Sequence, residues 1–304
     1  MSVALAQVAP LADEGVTAIT TPAESSNRQI IQKLIKHAKA YQGASHKISL
    51  WQLASTLSLF AAASAGVVAS YKAGLYVAQL PLTLLAAGLL IRLFIIQHDC
   101  GHGSFFNKRQ YNNAVGRLVS VLTFTPYDFW RKSHNLHHAH SGNLDLRGLG
   151  GVDTLTVAEY QALPARKKLA YRLMRNPIVL LGFLAPLNIM LFQRFPAPHS
   201  MPWLENYDSI SHSESLPSIM GLNVALLAVY GALGYVIGWD ALFLAYLPVV
   251  YIAAIIGGWL FYIQHQFEHT YWQSNATWSF HEAALYSSSQ YILPPVLQWF
   301  SGSI

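Results

Sequence analysis

The sequence predicts an all-α membrane protein with about four transmembrane helices in two hairpins, an interfacial helix and a cytoplasmic histidine-rich cap. Hydrophobic residues make up 53% of the 304 residues and charged residues 11%, whereas soluble domains carry about 25% charged residues. A chain with so little charge must cover most of its surface with something other than water, and lipid is the obvious candidate. The formal net charge is +5, and the charged residues lie in a few loops between apolar runs. This pattern is typical of loops that set the orientation of a membrane protein rather than of a nucleic-acid-binding surface.

The first 47 residues are predicted to form a polar cytoplasmic tail. They contain acidic residues such as Asp13 but no basic residue before Arg28, and they lack the apolar core of a cleaved signal peptide. The stretch from Gln29 to Tyr41 is expected to form a short basic helix at the membrane surface. Cys100 is the single cysteine, so an intramolecular disulfide is excluded.

Two apolar runs follow the tail and predict a first helical hairpin. Ile48–Ser70 is uncharged over 23 residues, and Gly74–Gln97 contains one charge, Arg92, close to its end. A helix of about 23 residues rises roughly 34 Å, which exceeds a hydrocarbon core about 30 Å thick. We expect Arg92 to extend its guanidinium toward the membrane interface.

A second hairpin is predicted from two later apolar runs, Pro217–Trp239 and Ala241–Ile263, which Asp240 separates. Residues 98–175 carry eleven Lys and Arg residues, and the sequence after Arg194 has none. Because positive residues accumulate on the cytoplasmic side, residues 98–175 and the N-terminal tail are expected in the cytoplasm. The expected location is a bacterial inner membrane, crossed several times.

The segment Asn176–Phe195 is apolar enough for a short span, but Gly182, Pro186 and Asn188 interrupt it. If it crossed the membrane, the last span would emerge opposite the histidine-rich loop. We favour an interfacial helix, because a further histidine motif follows that last span.

Two groups of histidines are the main functional signal. They are His98 and His102, in the pattern His-x-x-x-His, and His134, His137 and His138, in the pattern His-x-x-His-His. Positions i, i+3 and i+4 share one face of a helix, so each group can direct its imidazoles to one point. Neutral imidazole binds iron, zinc, copper or nickel, so the residue type leaves the metal open. The glutamate of His-Glu-x-x-His zinc proteases is absent from both groups, and the sequence contains no Glu-x-x-His pair.

The sequence around these histidines resembles the membrane fatty acid desaturases, in particular the delta-12 (omega-6) acyl-lipid type. The resemblance runs from about residue 45 to residue 304. It rests on both histidine groups and on five flanking motifs: Thr125-Pro-Tyr-Asp-Phe-Trp130, Ser141-Gly-Asn-Leu-Asp-Leu-Arg-Gly148, Thr154-Leu-Thr-Val-Ala-Glu-Tyr160, Gln264-His-Gln-Phe-Glu268 and Thr270-Tyr-Trp272.

The resemblance implies that the five grouped histidines bind two ferrous ions, with His265 as a further ligand after the last span. His269 and His140 are ranked lower, as supporting or surface residues. Asp99 and Asn135 are expected to orient ligating imidazoles through the nitrogen that does not bind metal. The other histidines are expected at surfaces or interfaces: His37, His46, His199, His212 and His281.

The resemblance also implies a reaction and its partners. Dioxygen would be the co-substrate, a fatty acyl lipid the substrate, and a cis double bond the product. The sequence shows no fused haem domain or flavin motif, so a ferredoxin or small cytochrome would supply electrons. A related carotenoid or alkane hydroxylase, or a non-catalytic membrane protein, remains an alternative at this point.

A third histidine group of the family is not found in the sequence. In the family it follows the segment that corresponds here to Leu293–Ile304, and no histidine occurs after His281. We therefore expect a tail over residues 1–47 and a desaturase domain over residues 48–304 that is incomplete at its C-terminus. The chain ending at Ile304 is expected to be inactive and poor in iron.

Overall fold

The computed structural model describes residues 22–147, 151, 154–196 and 210–303, with side chains from residue 30 onward. Every regular element in these ranges is a helix, and their β-type pairing is limited to one bridge between Asn143 and Gln273. The predicted all-α class is therefore confirmed. The first seven helices are α1 (Pro22–Lys39), α2 (His46–Lys72), α3 (Tyr76–His102), α4 (Arg109–Thr123), α5 (Tyr127–His140), α6 (Val157–Ala162) and α7 (Ala165–Arg175).

The later helices include two that change their winding along their length. The segment α8 (Pro177–Arg194) contains a π-helical turn at Leu180–Leu184 and ends in a 3-10 turn. The remaining helices are α9 (His212–Ile237), α10 (Trp239–His265, with a π-helical turn at Leu242–Tyr246), α11 (Phe280–Tyr286) and α12 (Pro295–Ser301).

Five helices of the described chain are long and apolar enough to cross a membrane, namely α2, α3, α8, α9 and α10. Four of them correspond to the predicted spans, with ends that differ by a few residues. The helix α3 continues through His102 and stops at Gly103, whose φ of +75° favours glycine. The helix α9 begins earlier than predicted, at His212, because Ser211 and Glu214 form a reciprocal capping box there.

The break between α9 and α10 lies at Gly238 rather than at Asp240. Gly238 has a φ of +92°, a conformation that glycine adopts without the steric cost of a side chain. Asp240 belongs to the first turn of α10, where the positive end of the helix dipole favours a carboxylate.

Three helix ends lie together at one end of the bundle. The last turn of α3 contacts α5 through His102 and His134, and the last residue of α10, His265, contacts His137 of α5. The start of α9 joins the same region, because the amide of Phe129 donates to Ser218 at 3.1 Å. The hairpins α2–α3 and α9–α10 therefore present their open ends to α5.

Both ends of α8 lie at this same end of the bundle. The residue before its start is Asn176, and the neighbouring Arg175 donates to Gln266 at 2.8 Å, just after α10. At its other end, Arg194 donates to the carbonyl of Phe124, just before α5, at 2.5 Å. A segment whose two ends lie near one end of the bundle is compatible with the predicted interfacial placement.

The helix α3 lies at the centre of the core. Its residues Leu89, Leu93 and Ile96 are buried, and so are Val67 of α2 and Val249 of α10 in the same cluster. The outer surface of the bundle is apolar as well: the exposed large residues include Val77, Leu227, Tyr235 and Val236. Large exposed apolar areas indicate contact with lipid or another apolar partner.

Arg92 does not reach toward the interface, contrary to the expectation. It is buried to 7% exposure, its Nη1 donates to the carbonyl of Trp299, and its guanidinium lies 4.1 Å from the centre of the Trp299 ring. Burying a charge without partners is costly, and the helix α12 supplies them. The sequence could not reveal this contact, because 207 residues separate the two side chains.

The helix predicted in the tail is present as α1 and is longer than expected, while its placement at the membrane surface stays a prediction. It runs from Pro22 to Lys39 instead of starting at Gln29. Ile30 and Leu34 are exposed on it. The tail's first 21 residues lie outside the described residues, so the prediction of a polar cytoplasmic tail stays a prediction there.

Candidate metal centre

The last turn of α3 carries the first two histidines of the site. His98 and His102 are four residues apart on a continuous helix, and their Nε2 atoms lie 3.1 Å apart. The predicted shared face is therefore present, because the helix extends through both residues rather than ending at Gln97.

The helix α5 carries the next three histidines. His134 Nε2 lies 3.0 Å from His138 Nε2 and 3.2 Å from His102 Nε2. Together His98, His102, His134 and His138 form a group of four, in which one ring nitrogen of each lies within 4.8 Å of the others.

A second, smaller assembly lies beside this group of four. On the same helix, His137 Nε2 lies 3.0 Å from Nε2 of His265. The ring centres of His137 and His134 are 6.2 Å apart, so this histidine pair is distinct from the group of four. All six predicted ligands are thus brought together, in two adjacent sets.

The α5 imidazoles are held in the neutral form. Burial, followed by the neighbouring histidines, lowers the pKa of His134 and of His137 well below the usual value of 6.5. Burial of the ring also lowers the pKa of His138, to about 4, although this residue is exposed on one side. Neutral imidazoles keep a lone pair for a metal ion at physiological pH.

The group of four fits a transition-metal ion. The four Nε2 atoms converge: the distances between neighbouring atoms, in the order 98, 102, 134 and 138, are 3.0–3.2 Å. Two neutral imidazoles that face each other can share one proton at most, so four converging nitrogens leave lone pairs without hydrogen-bond donors. A cation would satisfy them, and an all-imidazole set suits iron, zinc, copper or nickel.

Two ring nitrogens that face away from the converging Nε2 atoms have acceptor partners. His98 Nδ1 lies 3.2 Å from a carboxylate oxygen of Asp99, and His265 Nδ1 donates to the carbonyl of Ser287 at 2.9 Å. Such contacts fix the tautomer and the orientation of the ring, and metal-binding histidines commonly make them. The contact expected of Asp99 is present. Asn135 is exposed and makes no hydrogen bond to an imidazole in the described part of the chain.

Aromatic side chains enclose both sets of imidazoles. Trp130 stacks on His134 with ring centres 4.6 Å apart and planes inclined by 14°, and Phe261 lies 5.3 Å from His137. Sequence reasoning missed these residues, although Trp130 precedes His134 by four positions and so shares its helix face. The contact with Ser287 had no such signal, because it depends on how a distant loop folds back.

That returning loop pairs with the loop after α5. Gln273 donates to the carbonyl of Gly142 and accepts from the amide of Leu144, each at 2.9 Å. A Cβ atom on Gly142 would lie 2.5 Å from Ser287 Oγ, and the φ of Gly142 is +75°. The close approach therefore requires glycine and places Ser287 next to His265.

The remaining histidines lie outside the two sets. His140 lines a cavity of about 40 Å³ beside His137 and His265, and His269 is exposed. The predicted surface or interface positions agree with the structure for the histidines that are exposed, His37, His46 and His212; His281 is partly buried beside Phe280. His199 lies outside the described residues.

Comparisons with known proteins identify related sequences. Residues 74–304 match the family model described as fatty acid desaturase. A fatty acid desaturase of Bacillus subtilis (strain 168) is 43% identical over 230 residues, which cover 75% of this chain and 62% of that protein. An sn-1 acyl-lipid omega-3 desaturase (ferredoxin) of Nostoc sp. (strain 36) is 29% identical over 201 residues, covering 64% of this chain and 52% of that protein. An sn-1 oleoyl-lipid 12-desaturase of Synechocystis sp. (strain ATCC 27184 / PCC 6803 / Kazusa) is 34% identical over 115 residues, which cover 38% of this chain and 32% of that protein. The chain thus spans between about half and two thirds of the length of the first two relatives.

Proposed function

Because the chain belongs to the fatty acid desaturase family, we propose that its protein is a membrane enzyme that introduces a cis double bond into the acyl chain of a lipid. The observation that supports this most directly is the convergence of six imidazoles at one end of an apolar helix bundle. An acyl chain has no polar group along its length, so apolar helices must recognise it by shape.

Two iron ions are the proposed cofactors. The group of four would hold one iron, and the histidine pair would contribute to the position of the second. Bound iron would supply the redox chemistry that uses dioxygen to remove two hydrogens from neighbouring methylenes. Two protein nitrogens are few for an iron ion, so the second position requires ligands beyond the histidine pair.

The protein's own residues would orient the ligands and exclude water. The carbonyl of Ser287 holds the proton of His265 on Nδ1, which leaves Nε2 free to face the metal position. Trp130 covers one face of His134, and Phe261 packs beside both members of the histidine pair. These contacts limit the rotamers of the imidazoles before any metal is bound.

The reaction requires an external electron donor. Dioxygen takes up four electrons on reduction to water, and forming one double bond releases two. The other two would come from a ferredoxin or a small cytochrome. A ferredoxin is supported by the printed names of two relatives, both described as sn-1 acyl-lipid omega-3 desaturases (ferredoxin).

We infer delta-12 regiochemistry on an acyl chain that already carries a double bond. The relatives include both omega-3 desaturases and 12-desaturases, so they do not decide the position of the new bond. The support for delta-12 is the set of motifs around the histidines. The histidine centre and the N-terminal tail would face the cytoplasm across a bacterial inner membrane, as the distribution of Lys and Arg favours.

Product analysis tests the proposal. The protein is expressed from its complete reading frame in a host that makes saturated and monounsaturated acids, and total fatty acids are analysed by mass spectrometry. We expect dienoic acids with the new bond at delta-12, and their loss in His138→Ala. Hydroxylated acids, or unchanged dienoic acids in His138→Ala, would contradict the assignment.

Iron content provides a second measurement. His134→Ala removes the residue that contacts both His102 and His138, so we expect the iron-to-protein ratio to fall at least twofold. His269→Ala is the matched control, because His269 is exposed and lies outside both sets. Equal iron content in the two variants would contradict the ligand assignment.

A further inference from the structure

The helix α7 exposes two leucines on one face. Leu169 is 60% exposed and Leu173 is 54% exposed, and their spacing of four residues places them side by side on the helix surface. Ala170 is exposed as well. Exposed leucines arranged in a stripe are unfavourable in water, which indicates that something apolar covers this face.

Cations border the leucine stripe. Arg166 lies one turn before Leu169, and Lys168 and Arg172 lie along one side of the stripe, while α7 contains no acidic residue. Lys168 Nζ donates to the carbonyl of Gln161 at 2.8 Å. Arg172 Nε donates to the hydroxyl of Tyr160 at 2.6 Å. That bond leaves the terminal nitrogens of Arg172 without a hydrogen-bond partner among the described residues.

The position of α7 in the bundle matches the boundary of the apolar surface. At its C-terminal end, Arg175 donates to Gln266 just after α10, and its guanidinium lies 5.4 Å from the Tyr262 ring centre. The next residue, Asn176, accepts from the amides that open α8. The helix α8 exposes Ile178 and other apolar side chains directly after this point.

An open cleft of about 440 Å³ lies at the same place, and it is lined by Tyr160, Tyr171, Arg172, Arg175 and Asn176. Phenolic hydroxyl, guanidinium and amide groups can all donate to phosphate oxygens. The cleft is therefore suited in size and chemistry to the phosphate of a lipid head group at the bilayer surface.

We propose that α7 lies in the membrane interface and binds the surface of an anionic lipid bilayer. Leu169 and Leu173 enter the boundary of the acyl chains, and the three cations that border them, Arg166, Lys168 and Arg172, contact lipid phosphates. An amphipathic helix with a basic face binds anionic membranes in this way. The leucines favour lipid over an acidic soluble protein, because the charges alone would bind either partner.

The single native cysteine makes a direct test possible. Cys100 is fully buried, so a cysteine introduced by Leu173→Cys can be labelled selectively with an environment-sensitive fluorophore in the 304-residue chain. The labelled protein is placed in nanodiscs of phosphatidylcholine alone, or of equal parts phosphatidylcholine and phosphatidylglycerol. Quenching by nitroxide lipids is compared with quenching by acrylamide in the water. A probe at Gln161→Cys, on exposed α6, is the matched control.

We expect the ratio of lipid to aqueous quenching at position 173 to be severalfold higher than at position 161. It should rise further with phosphatidylglycerol, because each cation near an anionic surface contributes a factor of roughly five to the binding equilibrium. Replacing Arg166, Lys168 and Arg172 together by glutamine should abolish the dependence on phosphatidylglycerol.

Three results would overturn the proposal. One is equal quenching by acrylamide at positions 173 and 161 in both bilayers. Another is loss of the response to phosphatidylglycerol when inorganic phosphate is added, but not when chloride is added at the same ionic strength. That result would mean that the cations bind a free anion. The third is an aqueous probe that becomes protected by an acidic redox protein, which would make α7 a protein docking surface.

Discussion

Gly142 connects the loop after α5 to the residue that orients His265. Its φ of +75° and the 2.5 Å that would separate an added Cβ from Ser287 Oγ leave no room for a side chain. We predict that Gly142→Ala displaces Ser287 and so breaks the hydrogen bond from His265 Nδ1 to the Ser287 carbonyl. The free energy of unfolding should fall by about 1–3 kcal/mol, and the histidine pair should lose metal before the group of four.

The measurement combines thermal unfolding in detergent with a titration of Co²⁺ followed by its visible absorption. Gly221→Ala is the control, because a Cβ there meets nothing within 4 Å, and it should leave both readouts unchanged. If Gly142→Ala behaved like Gly221→Ala, the loop would not position His265.

Arg147 and Glu159 provide a prediction about pH. Burial raises the pKa of Glu159, but hydrogen bonds from Arg147 and from Thr156 outweigh it, so the pKa lies below its usual value of 4.5. A carboxyl with a lowered folded pKa stabilises the protein above the unfolded pKa, and this contribution is lost as the pH falls through the folded pKa. Arg147→Gln should therefore lower the melting temperature at pH 7. The difference between the melting temperatures at pH 7 and pH 4 should be smaller in this variant than in the unchanged protein.

The check is thermal unfolding of the unchanged protein and of Arg147→Gln across pH 4–7. Glu159→Gln removes the titrating group itself, so its melting temperature should depend less on pH than that of the unchanged protein. A steeper acid loss in Glu159→Gln would show that another carboxyl controls this region.

Helical spacing was sufficient to predict which histidines meet on α3 and α5. The spacing of His98 and His102, and of His134 and His138, follows the helix surface directly, so their local convergence depends on secondary structure alone. The division into a group of four and a pair was not predicted, because it depends on which histidine of α5 the end of α10 reaches. The role of Ser287 depends on a loop whose path has no period in the sequence.

At the scale of helices, the short helix α12 is attached to the middle of α3. Phe300 lies against Gly88, where an added Cβ would be 3.1 Å from its ring, and Trp299 provides both a carbonyl and a ring face to Arg92. The segment 293–304 was predicted only as a family motif. Its contact with a buried charge inside an apolar span required the structure.

We predict that Trp299→Ala destabilises the protein by about 1–3 kcal/mol, since a buried cation would lose part of its compensation. Arg92→Met in the Trp299→Ala background should recover much of this loss, because the charge that needs compensation is then absent. Thermal unfolding of the two variants and of Arg92→Met alone completes the double-mutant cycle. An additive cycle would show that the two side chains do not interact.

Helix existence was predictable from runs of apolar residues, whereas helix ends were set by local chemistry. Apolar composition does not distinguish Gln97 from His102 as the end of α3, but the left-handed Gly103 does. The capping box at Ser211 moved the start of α9 into a polar stretch. Such signals act through a single residue and are easily outweighed by composition when spans are assigned.

For the whole molecule, the structure predicts a specific pattern of accessibility. Residues before α8 and before α9 lie at the histidine end of the bundle, whereas the turns at Gly74 and Gly238 lie at the other end. With Cys100 buried, single cysteines at Asn176, Ser213, Ala73 and Trp239 can be tested in sealed vesicles with a membrane-impermeant maleimide.

We expect positions 176 and 213 to react from one side and positions 73 and 239 from the other. This result follows from two hairpins joined by a segment that does not cross. Labelling of 176 and 213 from opposite sides would instead make α8 a fifth crossing. Length and composition alone do not decide this choice, since α8 satisfies both for a span; the histidine motif after the last span is what favours the interfacial placement.

The spacing of the six imidazoles along the chain has a consequence for biosynthesis. The group of four is encoded between residues 98 and 138, whereas the histidine pair joins residues that are 128 positions apart. Chains fold from the N-terminus as they are made. A ribosome-bound chain that has inserted only its first hairpin would already possess a complete set of four imidazoles. On the proposal that each set holds an iron ion, the group of four would be able to bind its ion during translation, and the position at the histidine pair would form only after the last hairpin had entered the membrane.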